Sequence, residues 1–214
     1  MRTCRRKMIC AKIKTEMIIM DKIRFRLAHA DDAEKLLDVY APYVENTNIS
    51  FEYEVPTVEE FRQRIEKISA KFPYIVALAD DEIVGYAYAS TFRTKAAYDR
   101  SLETTIYIKK NFHRHGIGRK LYKILEELLK MQNITNLYAS ITYPNLKSMK
   151  FHEKLGYVKI AHFNRCGYKR GAWLDMIFLE KIINKHVLPA KEIIYMANLP
   201  QEKIDSVFNK YNEA

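Results

Sequence analysis

The stretch FHRHGIGRKLY, Phe112–Tyr122, places two of the chain's six glycines two positions apart among His113, Arg114, His115 and Arg119. Before it, SLETTIYI (101–108) alternates as a strand does. After it, Ile117, Leu121, Ile124, Leu125, Leu128 and Leu129 recur at helical spacing over about four turns. A strand, a basic glycine turn and a helix start together make an anion site. The first N–H groups of a helix have no internal acceptor, and the positive end of the macrodipole lies behind them. Gly116 and Gly118 carry no Cβ, so a phosphate can approach the main chain closely. Arg114 and Arg119 add charge there. The turn lacks the third glycine of a dinucleotide fingerprint and the GxxxxGK[ST] of a Walker loop. Taken alone, it serves equally well as a plain strand-to-helix turn with a solvated basic face.

Working outward, KIRFRLA (22–28) reads as a strand. Asp31 or Asp32 then caps a helix carrying Leu36, Leu37 and Tyr40, which Pro42 is expected to kink or end. ENTNISFEYEVP (45–56) is a loop. Thr57 caps a second helix with Phe61, Ile65 and Ile68 in register. YIVALAD (74–80) and EIVGYAYAS (82–90) are strands about the turn Asp80-Asp81, and TFRTKAAYDR (91–100) is a polar connection. NLYASITY (136–143) is a fifth strand, and PNLKSMKFHEKLG (144–156) a short helix that Asn145 caps and Gly156 ends. YVKIAHF (157–163) and WLDMIFLEK (173–181) are the last strands, joined through RCGYKRGA (165–172). QEKIDSVFNKYN (201–212) is a terminal helix. Strands and helices interleave, so the class is mixed α/β. The expected organisation is a basic N-terminal extension (1–21), one domain (22–181) and a C-terminal extension with a short helix (182–214). Met17 and Met20 are alternative starts.

The 214 residues suffice for one sizeable core. No apolar run approaches the ~20 residues of a membrane span, and MIIM (17–20) is too short for a signal sequence. Three widely spaced cysteines without CxxC argue against a disulfide scaffold or a structural zinc site and suit a reducing compartment, so the protein is expected in the cytoplasm. The net charge of +10 points first to nucleic acid. Six basic residues and one acid in positions 1–16 account for half of it, however, and the body is only mildly basic. Such a body fits an anionic small ligand, and a nucleic-acid partner is not expected.

HRHGIG resembles the pyrophosphate loop of the GNAT acyltransferases, Q/R-x-x-G-x-G/A, and lies where that family has it, between the fourth strand and a long amphipathic helix. NTNISFEYEVPTVEEF, IVGYAYASTFRTKAAYDR, ETTIYI, YPNLKSMKFHEKLGY and GYKRGAWLD are similar, in order, to the phosphinothricin N-acetyltransferase branch. The resemblance covers roughly Ile23–Lys181. It implies a GNAT-type mixed, mostly antiparallel twisted sheet with helices on both faces and a homodimer. It also implies transfer of an acetyl group from acetyl-CoA, without a metal, to a primary amine. The acceptors implied are phosphinothricin, methionine sulfoximine and methionine sulfone. Two positions depart from the pattern: His113 stands where the loop has Gln or Arg, and Arg100 where Trp often follows AYD.

Amine acetylation needs a base for the ammonium, polarisation of the thioester carbonyl and a proton for the departing thiolate. Glu103 lies mid-strand, where an acid is unusual, and matches the family's base; a solvated strand face or salt bridge would also account for it. His152 matches the histidine that this branch places near the sulfur, and imidazole titrates near working pH. The resemblance assigns the main chain of Ile106, Tyr107 and Ile108, the loop His113, Arg114, His115, Gly116, Ile117, Gly118 and Arg119, and Asn145 and Ser148 to acetyl-CoA. Phe92, Arg93, Lys95 and Tyr98 are candidates for the acceptor, whose acidic groups call for cations. His113 and His115 lack a third ligand at metal spacing, no neighbour activates Cys166 as a nucleophile, and Trp173 is read as core or interface. Two other readings stand: a protein or peptide N-acetyltransferase, and a basic RNA- or ribosome-associated binding module anchored by the N-terminal tail.

Overall fold

The computed structural model describes residues 23–213. The N-terminal basic extension and both candidate start methionines lie outside the described residues. Seven strands form one sheet in the order β1-β2-β3-β4-β5-β7-β6. Strands β1 (Arg24–Leu27), β2 (Tyr74–Ala79), β3 (Glu82–Thr91) and β4 (Ser101–Ile108) pair antiparallel in succession. The β2–β3 hairpin turns on Asp80 and Asp81 at φ 47° and 67°, the left-handed pair that short acidic residues tolerate and that matches the strand twist. Strand β5 (Asn136–Tyr143) runs parallel to β4, and β7 (Ala172–Ile182) and β6 (Val158–Lys169) complete the sheet antiparallel to their neighbours.

Helices α1 (Ala33–Asn46) and α2 (Val58–Ser69) cover one face. Helices α3 (Ile117–Met131), α4 (Leu146–Lys154) and α5 (Gln201–Asn212) lie on the other. Thr57 caps α2 as the sequence reads: its side chain accepts from the Glu60 N–H, and Glu60 accepts from the Thr57 N–H at 2.7 Å. The apolar stripe of α3 is fully buried at Leu121, Ile124, Leu125, Leu128 and Leu129. The C-terminal helix joins the same core through Ile204, Val207 and Phe208. Its Asn212 side chain accepts from the N–H of Phe25 at 2.7 Å and donates to the Phe25 carbonyl at 3.1 Å, occupying the open edge of β1.

Three local expectations are corrected or narrowed. Helix α1 runs through Pro42 to Asn46. Pro42 and Asp38, whose carbonyl loses its partner, are both on the exposed side, where water can satisfy the carbonyl. Residues 165–169 are strand rather than connection: β6 extends to Lys169 past two irregularities in register, and the chain reverses at Arg170 and Gly171, both at positive φ. Trp173 is 64% exposed, so it is not core.

Candidate active site

The site begins where two strands part. β4 and β5 pair only from Ser101↔Asn136 to Glu103↔Tyr138, although β4 continues to Ile108 and β5 to Tyr143. The Lys109 N–H reaches Val84 O on β3 at 2.8 Å. By alternation, the N–H and C=O groups of Ile106 and the N–H of Ile108 face away from β3, on the side of the gap, while the Ile108 carbonyl accepts from the Tyr43 hydroxyl. A cavity of ≈ 210 Å³ opens there, reaching both faces of the sheet. Glu103 and Thr105 enter it from the α1/α2 side, and Thr104, Tyr122, Ser148 and His152 from the α3/α4 side.

Glu103 is half-buried, and the hydroxyl of Ser140, its neighbour across the gap, donates to its Oε1. His152, only 3% exposed, is fixed at both ring nitrogens. Nδ1 donates to Ser148 O at 2.8 Å, because a carbonyl only accepts, so the neutral ring presents a bare Nε2 to the Tyr122 hydroxyl at 2.9 Å. Burial pushes the imidazole below its ordinary value, against the opposing pull of the Ser148 carbonyl. Burial also pushes the Tyr122 phenol well up, so it keeps its proton. Thr104 Oγ1 lies 3.2 Å from that phenol and donates to Tyr138 O at 3.0 Å where the β4–β5 pairing ends. A chain of exchangeable protons therefore lines the cavity on the α3/α4 side.

Helix α3 starts beside this gap. Gly116 is its N-cap at φ 77°, with open space where a Cβ would stand. The first intrahelical bond there is from Lys120 N to Gly116 O. The N–H groups of Ile117, Gly118 and Arg119 are therefore free of the helix ladder. A Cβ on Gly118 would lie 3.2–3.3 Å from Phe151, Ile106 and Ile108, so this glycine lets the helix end press against β4 and α4. Ile117 is buried, and only its main chain faces the turn. Arg114, His115 and Arg119 are exposed around the turn. The fit to an extended, diphosphate-bearing ligand is good: free donors at one end, and the edge of β4 at Ile106, beyond its pairing with β5, leading to the cavity. His113 turns away from this cradle, its Nε2 lying 2.9 Å from Ile108 O and 3.1 Å from the Tyr43 hydroxyl, which donates to the same carbonyl.

Of the residues singled out from sequence, Glu103, Ile106, Tyr107, Ser148 and His152 line the one cavity. Asn145 caps α4 at its mouth, its Oδ1 accepting from the Ser148 N–H at 3.2 Å. Phe92, Arg93, Lys95 and Tyr98 do not line it: Phe92 stacks on Tyr138 with ring centroids 4.3 Å apart, and Arg93 lies over Phe92, exposed. The sequence reading passes over Tyr122, Ser140 and the loop residues Ile49, Ser50 and Phe51, which also form cavity walls. That loop is held by the β6–β7 hairpin. The buried Lys169 ammonium donates to Val44 O and Ser50 O at 2.8 Å each, and the Phe51 ring occupies the space that a side chain on Gly167 would need.

Residues 25–178 match the acetyltransferase (GNAT) domain family. The chain belongs to the GNAT acetyltransferases. It is 33% identical over 164 residues to a phosphinothricin N-acetyltransferase of Streptomyces coelicolor, covering 75% of this chain and 96% of that one. Its fold matches a phosphinothricin acetyltransferase of Sinorhizobium meliloti solved in complex with AcCoA, with TM-score 0.73 and 27% identity over 80% of this chain and 98% of that one. It also matches a ribosomal-protein-alanine N-acetyltransferase of Brucella melitensis, with TM-score 0.72 and 31% identity over 74% and 98%. The chain is accordingly an acyl-CoA-dependent transferase of the phosphinothricin acetyltransferase type, with the mostly antiparallel sheet expected of it. Among the described residues no helix is long and apolar enough to cross a membrane, and no group of three or more His, Cys, Asp or Glu side chains is placed to hold a metal.

Proposed function

We propose that this chain moves the acetyl group of acetyl-CoA directly to the primary amine of a small amino-acid-like acceptor. The observation that carries the reading is the parting of β4 from β5, where one cavity is lined by Glu103 on one side and His152 on the other. Glu103 takes a proton from the acceptor's ammonium, directly or through water. The freed amine attacks the thioester carbonyl, which a main-chain N–H in the Ile106–Ile108 edge polarises. When the tetrahedral centre collapses and the C–S bond breaks, the thiolate is protonated from the Tyr122–His152 pair. His152 is neutral with a bare Nε2, so the proton released is that of the Tyr122 hydroxyl, and it is replaced through His152 Nε2 by the second proton that the attacking nitrogen sheds as the amide forms. The backbone donors of Ile117, Gly118 and Arg119 hold the diphosphate, with Arg114 and Arg119 nearby. Asn145 and Ser148 hold the pantetheine arm.

A reducing cytoplasm and a homodimer belong to the same proposal, resting on cysteine usage and on the family. A second reading, acetylation of a polypeptide N-terminus, is favoured by the likeness to the Brucella protein. The small cavity favours the first. Thiol release from acetyl-CoA is measured against phosphinothricin, methionine sulfone, polyamines and alanine-terminated peptides. The proposal expects turnover on the amino-acid acceptors. Turnover on peptides alone would replace it with the second reading.

A further inference from the structure

On the α3/α4 side of the cavity three hydroxyl groups meet one imidazole: Thr104 from β4, Tyr122 from α3, Tyr157 from the turn between α4 and β6, and His152 from α4, all buried. Their protons can be counted against their contacts. Thr104 Oγ1 lies 3.0 Å from Tyr138 O, 3.2 Å from the Tyr122 hydroxyl and 3.3 Å from the Tyr157 hydroxyl. The Tyr122 hydroxyl also lies 2.9 Å from His152 Nε2. Four contacts thus share three hydroxyl protons. Tyr138 O only accepts, so it takes the Thr104 proton. The Tyr122 proton has two acceptors in reach, and the imidazole nitrogen is both the nearer and the stronger base. Tyr157 then donates to Thr104. The Thr104–Tyr122 contact is the one left empty while the phenol keeps its proton.

That contact fills when Tyr122 gives its proton away. A phenolate is an acceptor only, and burial makes it costly here, pushing the phenol up. The Thr104 hydroxyl works against that push, whereas the carboxylates of Glu126 and Glu103 add to it. Rotation about the Thr104 Cβ–Oγ1 bond carries its proton from Tyr138 O to the phenolate without moving a heavy atom. A neutral bond to a carbonyl is exchanged for a charge-assisted one, roughly twice as strong. Tyr157 stays behind Thr104 as a donor throughout.

We infer that Thr104 is a positioning residue for the proton donor, its hydroxyl turning from Tyr138 O to the Tyr122 oxygen as that phenol protonates the departing thiolate; this rests on the acyltransfer reading above. In the step the C–S bond breaks and its electron pair stays on sulfur. The Tyr122 O–H bond breaks, an S–H bond forms, and the negative charge passes to the phenolate oxygen. The Thr104 O–H bond stays intact and changes only its acceptor. The second proton shed by the attacking nitrogen returns through His152 Nε2 to Tyr122, and the Thr104 hydroxyl turns back. The bond exists only while the charge does, so it raises kcat and leaves ground-state binding alone.

The test measures kcat and KM for acetyl-CoA, with methionine sulfone or phosphinothricin as acceptor, in the wild type, Thr104→Val, Thr104→Ser, Tyr122→Phe and the double variant Thr104→Val/Tyr122→Phe. Urea midpoints are taken alongside. Thr104→Val should lower kcat about 10- to 100-fold, the scale of a hydrogen bond to a charged group, with KM for acetyl-CoA unchanged. Thr104→Ser keeps the donor and should retain most of kcat. In the Tyr122→Phe background the valine should cost nothing further, because the group it serves is gone. Equal losses of kcat in both backgrounds would show a packing role and overturn the inference. Full kcat in Thr104→Val, or Thr104→Ser as slow as Thr104→Val, also overturns it. Thr104→Ala supplies the same comparison should the valine variant not fold. A wild type that releases no thiol with either acceptor or with any other amine overturns this inference and the acyltransfer reading together. An active wild type with any of the contrary results overturns this inference alone.

Discussion

Gly116→Glu separates the diphosphate cradle from a plain turn. Gly116 sits at φ 77°, and no atom lies within 4 Å of a Cβ built on it, so a side chain fits but its backbone is strained. That strain costs about 1–2 kcal/mol, or about 2–8 °C in Tm for a chain of this size. It is shared by Gly116→Ala. The glutamate adds one negative charge at the turn. At about 5 Å from a diphosphate in solvent, the repulsion is about 0.8 kcal/mol per charge, or about 1.7 kcal/mol in all, a factor of about 15 in KM. The predicted result is a KM for acetyl-CoA raised about 15-fold in Gly116→Glu, little altered in Gly116→Ala, with similar losses of Tm in both. Initial rates of thiol release read the first quantity, and thermal unfolding by circular dichroism the second. The turn is exposed, so 1 M salt should remove most of the Glu-specific penalty. Equal KM values for the two variants at low salt would refute the cradle.

Glu103→Gln should lower kcat about 10²- to 10⁴-fold with KM for acetyl-CoA retained, the loss easing at high pH where the acceptor amine is already neutral; rates within a few-fold of wild type would remove Glu103 as the base. His152 ties stability to pH. Its folded pKa lies below the ordinary 6.5, so the unfolded chain binds the proton first, and the stability this group contributes is complete above about pH 6.5 and lost as pH falls through that value toward the depressed one. Urea midpoints from pH 8 to pH 5 should therefore drop less steeply in His152→Gln than in wild type. Lys169→Met leaves the Val44 and Ser50 carbonyls without donors and should cost about 2–4 kcal/mol in urea unfolding. A loss under about 0.5 kcal/mol would show the loop to be held by other contacts.

Much of the fold is legible because periodicity and caps are local. Strands β4 and β5 fall where their alternation places them, and the Thr57 capping box and the α3 stripe declare themselves within a few residues. Pro42 misleads because a proline's effect on a helix depends on which side it faces, and that is decided by the packing of Leu36, Val39 and Tyr40 beneath it. Residues 165–169 read as turn because Gly167 and the basic residues mimic one; the strand there depends on Phe51 filling the space over the glycine. Glu103 and His152 are legible as chemistry, the first as an acid inside a strand, the second through the family's pattern. The gap that unites them is not, because it is a property of two strands thirty-odd residues apart.

The most direct measurement is a crystal structure with CoA and methionine sulfone bound together. The thiol should lie in the gap between β4 and β5, the diphosphate against the N–H groups of residues 117–119, and the acceptor nitrogen within hydrogen-bond reach of Glu103, directly or through one water. A nucleotide seated elsewhere, or an acceptor nitrogen far from Glu103 with the gap closed, would contradict the account.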